Sequence, residues 1–430
     1  MRPVPRVIVV GGGFGGLQCA KALRGAPVEV LLIDRRDFHL FTPLLYEVAS
    51  CLLNPSEIAA PLRKVFRGDA NVRYREGDVA RCDLQAKTVA LADGAVIDYD
   101  YLVLATGSEP NYYGNTEIKR RALGLKDLGS ALALRNHVLE CLEQATTASN
   151  ATSRDQLLTF CIVGAGPTGV EYAGALAEFV RLVFPYEYPE LGTARIRIIL
   201  LEGGDRVLPT FKRRLSDYAH DELARRGVDV RVGVLVDSAD DAGVVLHDGT
   251  ALATQTLVWT AGVRPADILD GPPRRIEVDD HFRIVGATDA YAIGDVAAGH
   301  GAHGEILPML SPPAMQAGRY VAREILEGPA RRAFRYRDKG TLATIGRTSA
   351  VGQVGPFSFT GFVGWIVWLV VHLYYLIGFE NRLQVLIRWA FYYVRLDRPV
   401  RMIIHAYQTP HQGNTSSDSM PSQQREPSDQ

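Results

Sequence analysis

A short apolar strand followed at once by a glycine-rich turn constrains the fold more than any other feature of this sequence. Residues 6–10 are an arginine and four branched apolar residues, which is typical of a strand buried on both faces in a parallel sheet. Gly11, Gly13 and Gly16 then follow the spacing G-x-G-x-x-G. The first glycine permits a tight turn, the second lets a pyrophosphate approach, and the third lets the next helix pack closely. A helix starting near Phe14 would direct its N-terminal amides at that phosphate.

An acidic residue completes this motif. The apolar run 28–33 predicts a second strand, and Asp34 ends it 23 residues beyond Gly11. The carboxylate that binds an adenosine ribose lies at about this distance in dinucleotide-binding folds. Strand, glycines, helix and acid in this order favour a bound nucleotide, and the alternative is a glycine-rich turn without one.

The same pattern returns in the middle of the chain. Residues 160–163 predict a buried strand, and Gly164, Gly166 and Gly169 repeat the glycine spacing. The next predicted strand ends at Glu202, 38 residues beyond Gly164, and residues 185–191 account for the extra length as an insertion.

Glu202 also predicts which nucleotide binds here. A carboxylate at this position accepts hydrogen bonds from a ribose 2′-hydroxyl and repels a 2′-phosphate, which favours NADH over NADPH. Arg206 lies four residues later and favours the opposite preference.

Three further strand ends carry small or acidic residues. The sequence Ala-Thr-Gly at 105–107 ends a predicted strand, and Thr-Ala-Gly at 260–262 resembles it. Gly294 and Asp295 follow the predicted strand 288–293. We interpret Asp295 as a ligand of a ribityl or phosphate group, with a helix cap as the alternative. His39 is either a satisfied core histidine or a cofactor contact.

Composition and charge exclude several classes of protein. A chain of 430 residues predicts more than one domain, and the net charge of −1 argues against a general nucleic-acid binder. Residues 331–407 carry a net charge of +8, so the remainder carries −9. This asymmetry predicts contact with an anionic surface.

The cysteines predict neither a disulfide framework nor a metal site. Five are present, an odd number, and no two form C-x-x-C. This predicts a reducing compartment. The first strand begins so early that we expect no signal peptide.

The C-terminal region predicts association with a membrane. Residues 361–379 are apolar with only His372 titratable, which is long enough for a transmembrane helix. Residues 380–404 mix arginines with aromatic residues, which suits a helix in a membrane interface. We therefore expect a peripheral protein, with core helices of a third domain as the alternative. Residues 408–430 predict a disordered tail.

Two dinucleotide folds in one chain resemble the two-dinucleotide-binding-domain flavoproteins. Within that superfamily, the chain resembles the type II NADH:quinone oxidoreductases, which are single-subunit NADH dehydrogenases that do not pump protons. The resemblance runs from Arg6 to about Trp389. The residues that carry it most specifically are 38–46, 163–171, 259–265 and 365–372.

The resemblance implies a cofactor, substrates and site residues. It implies non-covalent FAD at Gly11, Gly12, Gly13, Phe14, Gly15, Asp34, Arg35, His39, Val79, Thr106, Gly107, Asp295 and Ser311. It implies NADH at Gly164, Gly166, Gly169, Glu202, Ala261 and Gly262, with Glu171 acting near nicotinamide and flavin. The family's quinone pattern is Ala-Gln-x-Ala-x-Gln, but residues 311–316 read Ser-Pro-Pro-Ala-Met-Gln. Gln316 therefore carries over as a catalytic residue toward the quinone, and the first glutamine does not.

The expected fold class is α/β, with two Rossmann-like domains, the second inserted in the first, and a membrane-associating helical region. We expect an FAD-binding domain at 1–115 and 265–330, an NADH-binding domain with a helical linker at 116–264, and a membrane-docking region at 331–407. Expected partners are NADH, a membrane quinone such as ubiquinone, the bilayer surface and a second copy in a homodimer. The expected location is the cytoplasmic face of the cell membrane.

Two other functions stay open at this point. A thiol-linked relative, such as a sulfide:quinone oxidoreductase, needs paired cysteines near the flavin, whereas only Cys51 lies near the first fold's substrate side. A flavoprotein with mainly a binding or signalling role is the second alternative.

Overall fold

Two parallel five-stranded sheets form the body of the protein. The structure is a computed structural model, and it describes residues 4–192, 194–269, 274–301, 304–328, 332–395 and 400–404. The first sheet has, from edge to edge, the strands Ala290–Ala292, Tyr101–Leu104, Arg6–Val10, Glu29–Asp34 and Val72–Glu76. The second has the strands Leu123–Gly124, Thr256–Trp259, Thr159–Val163, Arg197–Glu202 and Val228–Val232.

Along the chain, the second sheet lies between strands of the first. Four strands of the first sheet precede every strand of the second sheet in the sequence, and the fifth, Ala290–Ala292, follows them all. Each glycine turn leaves the central strand of its sheet, Arg6–Val10 or Thr159–Val163. Both turns therefore lie at the carboxyl ends of the strands, where ligands bind in open α/β sheets.

Helices cover both sheets, and short antiparallel strands connect them. The longer helices are Phe14–Ala22, Leu128–Thr146, Ala151–Leu157, Pro167–Leu182, Arg213–Arg225 and Ser311–Glu327. The shorter helices are Thr42–Leu44, Leu45–Ala49, Pro55–Ile58, Leu62–Val65, Thr116–Arg121, Phe184–Glu187, Pro189–Leu191 and Gly294–Val296. The small sheets contain Phe38–Leu40 with Ala59–Pro61; Val79–Asp83, Thr88–Leu91 and Val96–Asp98; Ser108–Pro110 with Val263–Pro265; Val236–Asp240, Gly243–Leu246 and Ala251–Ala253; and Thr341–Thr344, Ala350–Val354 and Phe357–Thr360.

Two segments without a predicted secondary structure contain short helices. The polar stretch after the linker helix includes the helix Ala151–Leu157, because the Asn150 side chain accepts the Ser153 N–H and caps it. The predicted insertion contains the helices Phe184–Glu187 and Pro189–Leu191, with Phe184 and Leu191 buried in the core.

The apolar run 361–379, although long enough for a transmembrane helix, does not form one continuous helix. It forms the helix Gly361–Tyr375, and the next helix, Phe379–Arg395, starts after Gly378 at a φ of +90°. In the part of the chain that the structure describes, no helix combines the length and apolar content needed to cross a bilayer. We call these two helices the C-terminal helix pair. The predicted disordered tail, 408–430, lies outside the described residues.

One close backbone contact fixes how each first helix leaves its sheet. A Cβ on Gly16 would lie 1.9 Å from the carbonyl oxygen of Gly11, and a Cβ on Gly169 would lie 1.9 Å from that of Gly164. No side chain fits there without moving the backbone. Gly13 and Gly166, by contrast, have nothing within 4 Å of an added Cβ.

We therefore expect Gly16→Ala to lower the free energy of unfolding by about 3 kcal/mol or more, because the added methyl group overpacks a backbone contact that cannot relax. Gly13→Ala, in the same turn, should leave the stability of the ligand-free chain unchanged within about 0.5 kcal/mol. Denaturant unfolding of both variants measures the difference. Equal stability of the two would contradict the close-contact explanation.

Candidate active site

The first glycine turn lies open to a ligand. Gly11 adopts a φ of +104°, and a Cβ there would lie 2.4 Å from the carbonyl oxygen of Ala105, so only glycine fits. The helix that follows begins at Phe14 and directs its N-terminus into the space beside Gly13. A Cβ on Gly15 would lie 3.3 Å from the carbonyl oxygen of Ala314, so the helix Ser311–Glu327 closes one side of the turn.

Asp34 holds the turn from the end of the neighbouring strand. One carboxylate oxygen accepts the Gly12 N–H at 2.5 Å, and the other accepts the Arg36 N–H at 2.8 Å. Arg35, between them in sequence, is exposed. Asp34 thus lies where the ribose carboxylate of a dinucleotide fold is expected.

Two buried polar atoms beside this turn lack a partner. The His39 Nδ1–H donates to the Gly12 carbonyl oxygen at 2.8 Å, while the buried Nε2 of the same ring has no partner among the described residues. The buried Thr106 Oγ1 also has none. The Phe14 ring packs edge-on against His39, and burial lowers the pKa of His39 to about 4. A buried imidazole nitrogen and a buried hydroxyl oxygen that both lack partners fit a polar ligand lying against them.

Asp295 lies in a small polar chain that sequence reasoning did not predict. It accepts a hydrogen bond from the Ser108 hydroxyl, and the Lys126 ammonium donates to Ser108 Oγ at 2.8 Å. Lys126 Nζ lies 3.8 Å from Asp295. Burial lowers the pKa of Lys126, and the Asp295 charge opposes that shift. Lys126 precedes the linker helix with no motif around it, so only the fold identifies it.

The remaining residues assigned to the first nucleotide lie around the same edge of the sheet. Gly107 follows Thr106 at the end of the strand Tyr101–Leu104, Val79 starts the strand Val79–Asp83, and Ser311 starts the helix Ser311–Glu327. Val79 and Ser311 are half-buried. Both are accessible to a ligand.

The second glycine turn reproduces the first in detail. Gly164 has a φ of +98°, and a Cβ there would lie 2.7 Å from Ala261, in the Thr-Ala-Gly segment that also contains Gly262. Glu202 accepts the Ala165 N–H at 2.7 Å and the Gly204 N–H at 2.8 Å. These contacts correspond to those of Asp34 with Gly12 and Arg36. The longer spacing before Glu202 has therefore not displaced the carboxylate.

Glu171 is buried in the helix Pro167–Leu182, one turn after its start. The Thr344 N–H donates to its carboxylate at 3.3 Å, and the indole of Trp368 lies beside it. Burial raises the pKa of Glu171 to about 8, Thr344 and Trp368 act in the opposite direction, and the nearby Glu47 raises it further. Glu171 is therefore protonated at neutral pH and available as a proton donor.

Glu47 is a second buried carboxylate in this region that sequence reasoning did not assign. It accepts hydrogen bonds from the Tyr46 hydroxyl at 2.9 Å and from the Trp389 indole at 2.8 Å. The C-terminal helix pair supplies Trp368 and Trp389, so it borders the Glu171 region directly. Glu47 directly follows the stretch 38–46, which carries part of the family resemblance. An acidic residue next to that stretch was the one sequence signal that could have identified it.

Gln316 forms a different contact from the one expected. Its amide donates to the Arg337 carbonyl at 2.9 Å and accepts the Arg337 N–H at 3.0 Å. The side chain thereby holds the segment 332–337 against the helix Ser311–Glu327. A role for Gln316 toward a quinone remains a prediction.

The cysteines form no redox pair. All five are buried and no two of them form a disulfide, and burial raises the pKa of Cys19, Cys82 and Cys161 to about 12 and of Cys141 to about 11. Cys51 is also buried. Across the described ranges, no group of three His, Cys, Asp or Glu side chains is placed to hold a metal ion.

Comparisons with known proteins agree with this geometry. Residues 5–318 match the pyridine nucleotide-disulphide oxidoreductases, and the chain belongs to that family. Its relatives include two type II NADH:quinone oxidoreductases of Mycobacterium tuberculosis, Ndh and NdhA. Ndh is 37% identical over 90% of this chain and 87% of that relative, and NdhA is 35% identical over 90% and 86%. Within the family, the chain is a member of the type II NADH:quinone oxidoreductases.

A solved structure supports the fold. The structure of NDH2 from Plasmodium falciparum in complex with NADH superposes with a TM-score of 0.85, at 20% identity, over 93% of this chain and 100% of that chain. The predicted α/β fold is thus confirmed. The predicted resemblance is confirmed as well.

We expect Glu171 to make stability depend on pH. Because its pKa rises from 4.5 to about 8 on folding, it contributes stability that is fully present below pH 4.5 and is lost as the pH rises through 8. Relative to Glu171→Gln, the wild type should lose stability across this range, with a slope of at most about 1.4 kcal/mol per pH unit. Denaturant unfolding over this pH range measures it.

The matched control is Glu117→Gln, which removes an exposed carboxylate from the helix Thr116–Arg121. Wild-type and Glu171→Gln stabilities that run parallel over the whole pH range would show that Glu171 titrates at its ordinary pKa.

Proposed function

We propose that this chain binds FAD at the first glycine turn, oxidises NADH at the second and passes two electrons to a membrane quinone. The observation that carries the proposal is that the same glycine turn occurs twice. In each turn, a carboxylate accepts a hydrogen bond from a backbone N–H, and one glycine leaves open space for a pyrophosphate. Oxidation of NADH by a quinone is also the activity that the names of its relatives in Mycobacterium tuberculosis state.

FAD fits the first turn because that turn offers polar atoms without partners. Gly13 leaves room for the pyrophosphate, and His39 Nε2 and Thr106 Oγ1 could each form a hydrogen bond with a polar group of the ligand. Asp34 would bind the ribose, and Asp295 would bind the ribityl or phosphate side. When bound, FAD supplies a ring that accepts a hydride and releases electrons. The protein holds and orients it without a covalent bond.

NADH fits the second turn better than NADPH. Glu202 presents a carboxylate to the ribose 2′-position, where a phosphate would be repelled. Arg206, the residue that favours NADPH, donates instead to the Pro209 carbonyl oxygen at 3.0 Å and pairs with Asp205. Its guanidinium is therefore already engaged within the loop.

Quinone reduction takes up protons as well as electrons, and Glu171 is the buried group that holds one at neutral pH. It lies against Trp368 of the C-terminal helix pair, so it connects the nucleotide-binding fold to the membrane-facing region. Gln316 would line the quinone site from the helix Ser311–Glu327. No cysteine takes part, because each is buried, and burial raises the pKa of the thiols of Cys19, Cys82, Cys141 and Cys161.

The C-terminal helix pair would dock on the membrane without crossing it. Exposed apolar residues recur every four positions along both helices: Phe362, Ile366, Val370 and Tyr374, then Phe379, Leu383, Ile387 and Phe391. Their opposite faces bury Trp365, Trp368, Val385, Trp389 and Tyr392. Such exposed stripes mark an interaction surface. NADH is a cytoplasmic substrate, which favours the cytoplasmic face, and a homodimer remains a prediction.

Glu202→Gln should narrow the preference for NADH over NADPH by roughly tenfold, equivalent to about 1.4 kcal/mol. Glutamine keeps an oxygen for the Ala165 N–H but removes the charge that repels a 2′-phosphate. Steady-state oxidation of the two nucleotides measures the ratio of kcat/KM values. The control is Glu117→Gln, which removes an exposed carboxylate from the helix Thr116–Arg121. Equal use of both nucleotides by the wild type would refute the assignment.

Phe362→Ser combined with Val370→Ser should weaken binding to lipid vesicles roughly tenfold or more, because each buried side chain contributes about 1.5–3 kcal/mol. Their exposures are 60% and 63%. Vesicle co-sedimentation measures the binding, and NADH oxidation by a water-soluble quinone checks folding. Tyr186→Ser with Val285→Ser, exposed at 83% and 65% elsewhere, is the matched control. Equal losses in both double variants would contradict docking through the helix pair.

A further inference from the structure

A basic cavity lies on the side of the helix Ser311–Glu327 that carries Gln316. Its volume is about 600 Å³, and the segment 332–337 forms its other wall. Five of its lining residues are arginines: Arg319, Arg323, Arg332, Arg335 and Arg337. We call this cavity the arginine basin. Neither dinucleotide-binding turn contributes to its lining.

Hydrogen bonds fix both walls of the basin. The Gln316 amide pairs with both backbone groups of Arg337, and the Tyr320 hydroxyl donates to the Arg332 carbonyl oxygen at 2.7 Å. The Tyr320 and Phe334 rings pack with centroids 5.4 Å apart between these two contacts. Arg319 and Arg323 lie one helical turn apart on the facing wall. The segment is thus held at both ends and at its centre.

The charge in the basin is not balanced within the described structure. None of the residues that line it is acidic. Of the five guanidinium groups, Arg319 donates to the neutral Gln18 amide at 2.9 Å. No ion pair among the described residues includes any of the five. Five like charges around one cavity repel each other, and an anion bound between them would relieve that repulsion.

The basin adjoins the C-terminal helix pair. Lys21 lies close enough to Arg319 and to Arg382 of the second helix for both charges to lower its pKa, after the larger effect of burial. Tyr336, in the basin wall, lies close enough to Tyr375, the last residue of the first helix, to interact with it electrostatically. A group bound in the basin would therefore sit beside the exposed apolar stripes.

We propose that the arginine basin binds the phosphate of an anionic phospholipid headgroup, whose acyl chains lie along the C-terminal helix pair. Guanidinium groups bind phosphate oxygens in pairs and stay charged at all physiological pH values. A lipid is favoured over a soluble phosphate because Lys21 and Tyr336 connect the surroundings of the basin to the helix pair that carries the exposed apolar stripes. This inference rests on the proposed membrane docking and adds selectivity for lipid charge to it.

The test compares two double variants of the FAD-loaded protein. Arg319→Gln with Arg323→Gln removes two charges from the basin, and Lys119→Gln with Arg120→Gln removes two exposed charges from the helix Thr116–Arg121. Vesicles are made of phosphatidylcholine alone or with phosphatidylglycerol. The basin variant should lose roughly tenfold in binding to the anionic vesicles and keep its binding to neutral ones. The control variant should keep both.

Other outcomes overturn the proposal in distinguishable ways. Equal losses in the two double variants would mean that only overall charge matters. If inorganic phosphate raises the melting temperature of the wild type but not of the basin variant, and both bind anionic vesicles equally, then the basin binds a soluble anion. A wild type that binds neither kind of vesicle would overturn the membrane docking itself, and the lipid assignment with it.

Discussion

Hydrogen bonds from the helix Phe379–Arg395 to buried carboxylates hold the functional regions in one arrangement. The Trp389 indole donates to Glu47 at 2.8 Å, and the Tyr392 hydroxyl donates to Glu178 at 2.7 Å. Glu47 lies within the first nucleotide fold, on the helix Leu45–Ala49, whereas Glu178 lies on the first helix of the second fold. A buried carboxylate without donors costs several kcal/mol. The helix Phe379–Arg395 is therefore held against both nucleotide folds, because each fold contains a buried carboxylate that needs the hydrogen bond this helix donates.

This arrangement places Glu171 between the nucleotide-binding folds and the C-terminal helix pair. The Glu171 carboxylate, on the helix Pro167–Leu182, lies beside Thr344 and Trp368, which belong to two different elements of the C-terminal region. The low polarity that keeps Glu171 protonated comes from the same packing. In the proposed function, proton supply, quinone access and membrane docking would depend on one set of contacts, while nucleotide binding would depend on the two glycine turns.

Local patterns predicted the parts of the fold that local chemistry determines. The glycine turns, Asp34 and Glu202 follow from backbone geometry within one βαβ unit, so their spacing identified them. Lys126 beside Asp295, and Thr344 beside Glu171, meet only through tertiary packing between residues more than 160 positions apart. Gln316 shows the same limit: a family motif assigned it, whereas its contact with Arg337 depends on where a later segment packs. Hydropathy alone did not detect the break at Gly378, because the backbone turn there leaves the apolar composition unchanged.

The central claim is that the C-terminal helix pair forms the quinone end of a thiol-free path from NADH through the flavin. Anaerobic stopped-flow absorbance of the flavin tests it most directly, using wild type and Trp389→Phe, which removes the indole N–H from Glu47 and keeps an aromatic ring. We expect NADH to reduce the flavin at the same rate in both proteins. Reoxidation by quinone should be slower in the variant, because the helix is no longer held by Glu47. A flavin that NADH reduces but quinone does not reoxidise in the wild type, or equal slowing of both half-reactions in the variant, would contradict the claim.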